Sequence, residues 1–343
     1  GSLFVYKLQY GIEYFRKLLK ALKETRTKLI LCVPRAPSPS IAHLTFITSR
    51  HNWSRDMGEN VAMDLADAIE KYDLSEHVAE LDEVGLTVVP QSTLGLDDEW
   101  FEQLRDAILH IGELRTGATF DLNLNPSATF NGRPGEIGHV ILSHLIHEDQ
   151  SFERVLTHPI KKALMTHMLG NKHRLAVSDG WIKWQTPDSW DGEATTGFHV
   201  DQAMVPPPWN WQVPHIANMN WCLTDYTREN GGLAYVPGSH REQRFPEPGE
   251  ALSLSVAVEA PMGSLLLFNG GLWHGSYRKT TPGLRVTMLG QHCRPYMLPL
   301  QDFKGRIDDK MFTASEDPEY LGSLMREDES ALRIDPYEVP RVD

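Results

Sequence analysis

His199, Val200 and Asp201, joined by the distant His274, carry the residue types and spacing that hold a metal ion. In an extended strand, residues i and i+2 share a face, so His199 and Asp201 can aim an imidazole and a carboxylate at one point. His274, on another strand, supplies a second imidazole. Two histidines and one carboxylate with open positions are the donor set of non-haem Fe(II) sites that also take a cosubstrate and O2. Zinc hydrolysis could use the same donors, but no adjacent base motif such as HExxH occurs.

The triplet alone is weak. With 15 His and 46 Asp+Glu in 343 residues, about two HxD or HxE triplets are expected by chance. The chain has three, starting at His147, His199 and His240. His147 falls where a helix end is expected, so i and i+2 diverge, and His240 closes a Pro-Gly turn and reads as structural. Only His199 enters strand territory with a partner set downstream. That set is the apolar run Gly263 to Phe268, the Asn269-Gly270-Gly271 turn, and Trp273-His274-Gly275-Ser276, with Arg285 on the next strand. Ser276, two residues from His274, faces the same cavity if the strand is regular. Arg285 offers a planar fork suited to a carboxylate beside the metal.

The elements that must position these residues follow from the hydrophobic pattern. Residues 6 to 26 read as an amphipathic helix, and a Pro/Ser break over 34 to 40 follows, so residues 1–56 form an extension whose candidate role is homo-oligomer contact. Residues 57–172 read as a helical buttress: helices within 60–81, a short strand over 86–90, and helices at 97–111, about 136–147 and 158–169. From Arg174 the pattern turns to short, turn-separated strands at 175–185, 216–223, 233–236, 254–258, 264–268 and 284–292, with no helical period between them. Such spacing predicts an antiparallel sandwich or barrel rather than βαβ units. The expectation is a mainly β protein with helical support, in which a double-stranded β-helix (jelly roll) over 173–295 packs against the N-terminal helices. Residues 296–343 are a tail expected to wrap the surface, and 57–343 are expected to form one domain.

Composition narrows the partners. With 33 Lys+Arg against 46 Asp+Glu, the net charge of −13 lacks the basic footprint of a nucleic-acid binder and opposes anionic membrane surfaces. No apolar run approaches the 18 residues of a transmembrane helix. Cys32, Cys222 and Cys293 are odd in number, far apart and without CxxC spacing, which points to a reducing, cytoplasmic setting rather than a disulfide framework.

The run from His199-Val200-Asp201, through Asp225 to His240 with its Glu229-Asn230-Gly231-Gly232 and Pro237-Gly238-Ser239-His240 segments, to His274 and Arg285, resembles the phytanoyl-CoA dioxygenase family of Fe(II)/2-oxoglutarate oxygenases. The resemblance covers roughly 75–295 and is most specific over 197–290. It implies that His199, Asp201 and His274 bind Fe(II), that Arg285 binds the far carboxylate of 2-oxoglutarate with Ser276 as helper, and that O2 is consumed with release of succinate and CO2. Family members commonly carry Gln between the iron-binding His and Asp; Val200 stands there, at a position that need not ligate. Related halogenases replace the carboxylate ligand by a small residue, so the retained Asp201 favours hydroxylation or another oxidation.

Substrate determinants are less sharply written. Seven of the nine Trp lie between 181 and 273. Each is most simply a core residue, but Trp209 and Trp211 sit in the Pro-stiffened stretch 202–215 after the metal pair, a candidate lid or substrate wall. Trp181, Gln185 and Asn220 are further pocket candidates. The expected substrate is a small, hydrophobic or ring-containing molecule, and no basic cluster demands a coenzyme A phosphate. Two alternatives stand beside this: a cupin-like metalloenzyme without 2-oxoglutarate, which would not need Arg285 and Ser276, and a non-catalytic jelly-roll binding protein.

Overall fold

The computed structural model describes residues 59–325, apart from 127–128, 131–132, 135–137, 189, 304 and 306. The expected extension over 1–56 and its helix lie outside these residues.

The helices come first. After α1 (Glu59–Lys71) and α2 (Ser75–Glu83), strand β1 (Leu86–Val89) and the one-turn α3 (Gln91–Leu94) lead into α4 (Asp98–Thr116). Helix α4 starts where the Asp97 carboxylate accepts the Trp100 N–H, with Asp98 and Glu99 at the positive end of the helix dipole. Its buried face, Phe101, Leu104, Ile108 and Ile111, repeats at helical spacing. Next come a two-residue hairpin, β2 (Thr129–Phe130) and β3 (Arg133–Pro134), then β4 (His139–Ser143) and helices α5 (Phe152–Thr157) and α6 (Pro159–Leu169).

The remaining strands are β5 (Arg174–Lys183), β6 (Ala194–His199), β7 (Ile216–Cys222), β8 (Leu233–Tyr235), β9 (Val256–Ala257), β10 (Leu265–Asn269), β11 (His274–Tyr277) and β12 (Arg285–Cys293). A one-turn helix, α7 (Glu250–Leu254), precedes β9, and α8 (Asp309–Ala314) and α9 (Pro318–Met325) follow β12. Two antiparallel sheets result: a large one in the order β1-β10-β7-β12-β5-β4 and a small one in the order β6-β11-β8-β9. This is the jelly roll expected from the strand pattern.

Alternation along the central strands divides the large sheet into two faces. Met219 and Trp221 of β7, Val286 and Met288 of β12, Ile182 of β5 and Leu265 and Leu267 of β10 join the main core with Phe101, Leu104, Ile108 and Leu164 of the helices. Their neighbours Asn218, Asn220 and Cys222, Arg285 and Thr287, Trp181 and Lys183, and Leu266 and Phe268 therefore face the barrel interior. There Leu266, Phe268 and Cys222 meet Leu233 of the small sheet.

Three local expectations are corrected. The helix expected at 136–147 is β4 plus a 3-10 turn, because His139 to Ser143 pair with Lys183 to Asp179 and His144 has a left-handed φ of 63°. A helical apolar spacing there serves an edge strand whose Leu142 points into the core, since tertiary pairing outweighs local pattern. The strand expected at 254–258 shortens to β9, preceded by α7. The tail does more than wrap the surface: Phe303, Ile307, Met311, Tyr320, Leu321, Leu324 and Met325 complete the main core. No helix among the described residues is long and apolar enough to cross a membrane.

Candidate metal centre

His199 ends β6 and His274 begins β11, and the two residues are direct cross-strand partners. Asp201 lies just past the end of β6, fixed by its backbone N–H donating to Gly270 O at 2.9 Å. Val200 between them is buried against Trp209 and Trp273, so the chain alternates and both flanking side chains turn the same way. His199, Asp201 and His274 each present one ligand atom, and these atoms lie within 4.8 Å of one another. Nε2 of His274 is 3.2 Å from Asp201 Oδ2, Nε2 of His199 is 3.4 Å from Oδ1, and the two rings are 4.4 Å apart. Among the described residues this is the one cluster of three or more His, Cys, Asp or Glu groups able to hold a metal; the triplets at His147 and His240 form none.

The surroundings suit a metal. Nδ1 of His199 bonds Gly197 O at 2.8 Å and Nδ1 of His274 bonds Leu272 O at 2.9 Å. A carbonyl can only accept, so each ring is protonated at Nδ1 and turns its Nε2 lone pair inward, the usual outer support of a metal-binding imidazole. Burial disfavours the Asp201 anion, but the facing His274 charge and the hydrogen bonds from both imidazoles outweigh it and hold the carboxyl ionised well below the ordinary range. Burial likewise opposes protonation of His199, yet its bond and charge contact with Asp201 raise its pKa. The buried carboxylate thus draws positive charge to itself, a role that a metal cation can take over once the two imidazoles give up their Nε2 protons. Phe268 packs edge-on to His274 at 4.9 Å and dries one side of the centre.

Two positions along β11, Ser276 is buried, and its Oγ lies 2.6 Å from the ammonium of Lys183. Lys183 is in turn the cross-strand partner of Arg285, so the expected Ser276 and Arg285 do converge at one end of the barrel. Arg285 is 3% exposed; it donates to Thr287 Oγ1 at 2.9 Å and lies 4.7 Å over the Tyr226 ring, while its Nε has no hydrogen-bond partner.

The other candidates separate. Trp181 and Asn220 face the interior, and both carry buried, unpartnered polar atoms, Nε1 and Oδ1; the Trp181 ring stacks on His139 at 5.5 Å. Gln185 lies past the end of β5, with its amide engaged by Asn125 and Thr280 O, which makes it a loop brace. Trp209 is 2% exposed, packed with Val200 and Trp273, with Nε1 donating to Val205 O. It is a core residue rather than a mobile lid. Trp211 is partly exposed beneath the Arg241 guanidinium. Segment 202–215 is tied down by Asn269 donating to Trp211 O and Arg294 donating to Pro214 O.

Sequence reasoning missed Asn218, whose Nδ2 donates to Asp201 Oδ2 at 2.8 Å, and Lys183, whose ammonium bonds Ser276 Oγ at 2.6 Å. Asn218 was within reach, since it shares the face of Asn220 two residues away on β7.

Comparison with known proteins settles the lineage. The sequence profile described as phytanoyl-CoA dioxygenase matches residues 81–287, more than half of the chain. The chain belongs to the phytanoyl-CoA dioxygenase family. Among curated family relatives, it is 29% identical over 204 residues to dioxygenase af480 of Aspergillus fumigatus, covering 58% of this chain and 60% of that protein. It is 27% identical over 183 residues to the uncharacterized protein Rv1501 of Mycobacterium tuberculosis, covering 51% and 60%. The chain thus spans 60% of the length of either relative. HygX of Streptomyces hygroscopicus, solved with nickel and 2-oxoglutarate bound, superposes with a TM-score of 0.50 at 18% identity over 66% of this chain and 88% of that one. That likeness is one of fold.

Proposed function

We propose that this member of the phytanoyl-CoA dioxygenase family is a non-haem Fe(II)/2-oxoglutarate-dependent oxygenase that oxidises a small, hydrophobic or ring-containing molecule, with hydroxylation as the favoured outcome. The observation that carries the reading is the convergence of His199, Asp201 and His274 on one face of the barrel mouth, with family membership behind it.

In this reading His199 Nε2, Asp201 and His274 Nε2 would hold the metal, the two-histidine, one-carboxylate donor set of non-haem Fe(II) sites. Bound there, iron with 2-oxoglutarate supplies the coupling of O2 reduction to loss of CO2, formation of succinate and oxidation of a substrate C–H bond. The chain's own contribution is placement. Asn218 fixes the Asp201 carboxylate, Gly197 O and Leu272 O fix the two rings, and Arg285 offers its guanidinium to the far carboxylate of the cosubstrate. The buried Arg285, which makes no ion pair with an acid among the described residues and leaves its Nε unbonded, favours 2-oxoglutarate over a cupin-like chemistry that has no use for it. For the substrate, the apolar side chains of Met204 and Val213, 53% and 39% exposed, and the partly exposed Trp211 supply a greasy wall on the segment after Asp201. Trp181 Nε1 and Asn220 Oδ1 offer one donor and one acceptor inside.

The test is a panel of small ring-containing metabolites screened for stimulated succinate formation by the iron-loaded full chain in air. A stimulating compound is expected to gain one oxygen atom by mass spectrometry. Iron-bound, folded protein that forms no succinate with or without the panel overturns the reading.

A further inference from the structure

Two central strands of the large sheet are open to solvent, and on one face only. Asp179 and Trp181 of β5 and Leu289 and Gln291 of β12 are partly exposed, while the other residues of both strands are buried. Asp179 is the direct partner of Leu289, and Trp181 of Thr287. Gly180 between them faces the helices, where an added Cβ would meet Leu145 and Ile108, so Asp179 and Trp181 turn to the barrel interior. Strand β7, on the far side of β12, is buried throughout. Solvent therefore enters the barrel over β5 and β12. The entry adjoins the metal centre: Gln291 is the cross-strand partner of Asn218, which holds Asp201, and the His199 side chain is 42% exposed.

Asp179 brings a carboxylate into this opening. Gln301, from the segment after β12, clamps it with its side-chain amide: Oε1 accepts the Ser178 N–H at 3.0 Å and Nε2 donates to Asp179 Oδ1 at 2.6 Å. The Ser143 hydroxyl and the His144 backbone N–H also donate to Asp179. These three donors are neutral, and no Lys or Arg pairs with Asp179 among the described residues. Burial accordingly raises its pKa, against the bonds from Gln301, Ser143 and His144. A carboxylate so placed gains from a cation beside it, and the net charge of −13 draws cations to the molecule. Nearby, Trp181 Nε1 and Gln291 Oε1 have no hydrogen-bond partner, and Ile141, the β4 partner of Trp181, leaves an apolar side chain 42% exposed. An anionic point and an open acceptor next to flat apolar surface fit a protonated amine carried on a ring or chain.

We propose that Asp179, set by Gln301 in the open wall of the barrel, recognises the substrate, and that the substrate is an amine borne on an apolar ring or chain. The protonated nitrogen binds between the Asp179 carboxylate and Gln291 Oε1, and the apolar part lies over Trp181 and Leu289 with one edge toward His199 and the metal. Asp179 determines specificity and Gln301 is its positioning residue. The inference rests on the oxygenase reading and narrows its substrate class.

The test uses matched pairs that differ only in the nitrogen: 2-phenylethylamine with 2-phenylethanol, tryptamine with tryptophol, and cyclohexylmethylamine with cyclohexylmethanol. Binding is measured calorimetrically near neutral pH on the full chain loaded with Mn(II), whose charge offsets that of Asp201. In at least one pair the amine is expected to bind about tenfold or more tighter than the alcohol, as a charge-assisted hydrogen bond provides. Asp179→Asn keeps an acceptor for Gln301 and removes the charge, so it is expected to bring that pair within about twofold while the alcohol binds as before. Gln301→Ala, which frees the carboxylate without neutralising it, is expected to weaken the amine about threefold or more and to spare the alcohol; it carries the comparison should Asp179→Asn fail to fold. Wild-type protein with no amine preference in any pair, or a preference that folded Asp179→Asn leaves intact, overturns the proposal. Substitutions that change the melting temperature alone make Asp179 a brace for the C-terminal segment and overturn it too. The calorimetry needs no turnover, so iron-loaded protein that forms no succinate overturns the oxygenase reading whatever the pairs show.

Discussion

Asn218→Ala tests whether the metal centre depends on the strand that supports it. Asn218 is 1% exposed on β7 and donates to Asp201 Oδ2 at 2.8 Å. Asp201 Oδ2 faces the His274 imidazole at 3.2 Å, so losing the amide leaves that oxygen oriented by the histidine alone. A hydrogen bond to a charged group contributes about 1.5–3 kcal/mol, and at about 1.4 kcal/mol per decade that is roughly ten- to a hundredfold in metal affinity. The same range is typical of lost outer partners of metal ligands. The assay is competition with a chromophoric chelator for Fe(II) or Co(II) under argon, with circular dichroism to confirm the fold. A drop of at least about tenfold is expected. A folded Asn218→Ala protein that holds metal as tightly as wild type would refute the assignment of Asn218 as the group that sets the carboxylate.

Three further outcomes follow from packing and burial. Trp209→Ala is expected to cost about 3–5 kcal/mol in denaturant melts, whereas Trp211→Ala costs far less and acts on substrate affinity; equal, small stability effects would remove Trp209 from the core. Leu321→Ala in α9, fully buried in the main core, is expected to cost about 2–5 kcal/mol, and a loss below about 1 kcal/mol would mean the C-terminal helix is not part of that core. Cys222 and Cys293 are buried, and burial pushes the Cys222 thiol well above the ordinary range. Both are therefore expected to resist a thiol reagent until the protein unfolds, and rapid labelling of Cys222 at neutral pH would contradict its placement.

The legible parts of this chain were those where one residue type served one purpose. His199, Asp201 and His274 were readable because strand alternation and donor chemistry both constrain them, and the acidic run Asp97-Asp98-Glu99 announced the start of α4 because the helix dipole favours negative charge there. Legibility failed where tertiary context decided. His139 to Ser143 carry no alternation that marks a strand and take that form because β5 lies beside them. Trp209 reads first as core and second as lid, and its packing with Val200 and Trp273 decides. Lys183 was hidden because a lysine at a strand end looks solvent-facing until Gly231, Ser276 and Arg285 close around it. The tail's charge and proline content concealed the apolar face of α9, since Tyr320, Leu321, Leu324 and Met325 span too short a helix to stand out.

The central claim, a 2-oxo acid cosubstrate bound at a metal held by His199, Asp201 and His274, is tested most directly by anaerobic absorption spectroscopy. Titrating 2-oxoglutarate into the Fe(II)-loaded full chain is expected to raise a weak visible charge-transfer band that saturates at one equivalent per chain and is abolished in His274→Ala. Folded, iron-bound wild-type protein that develops no band, or a His274→Ala protein that keeps it, contradicts the account.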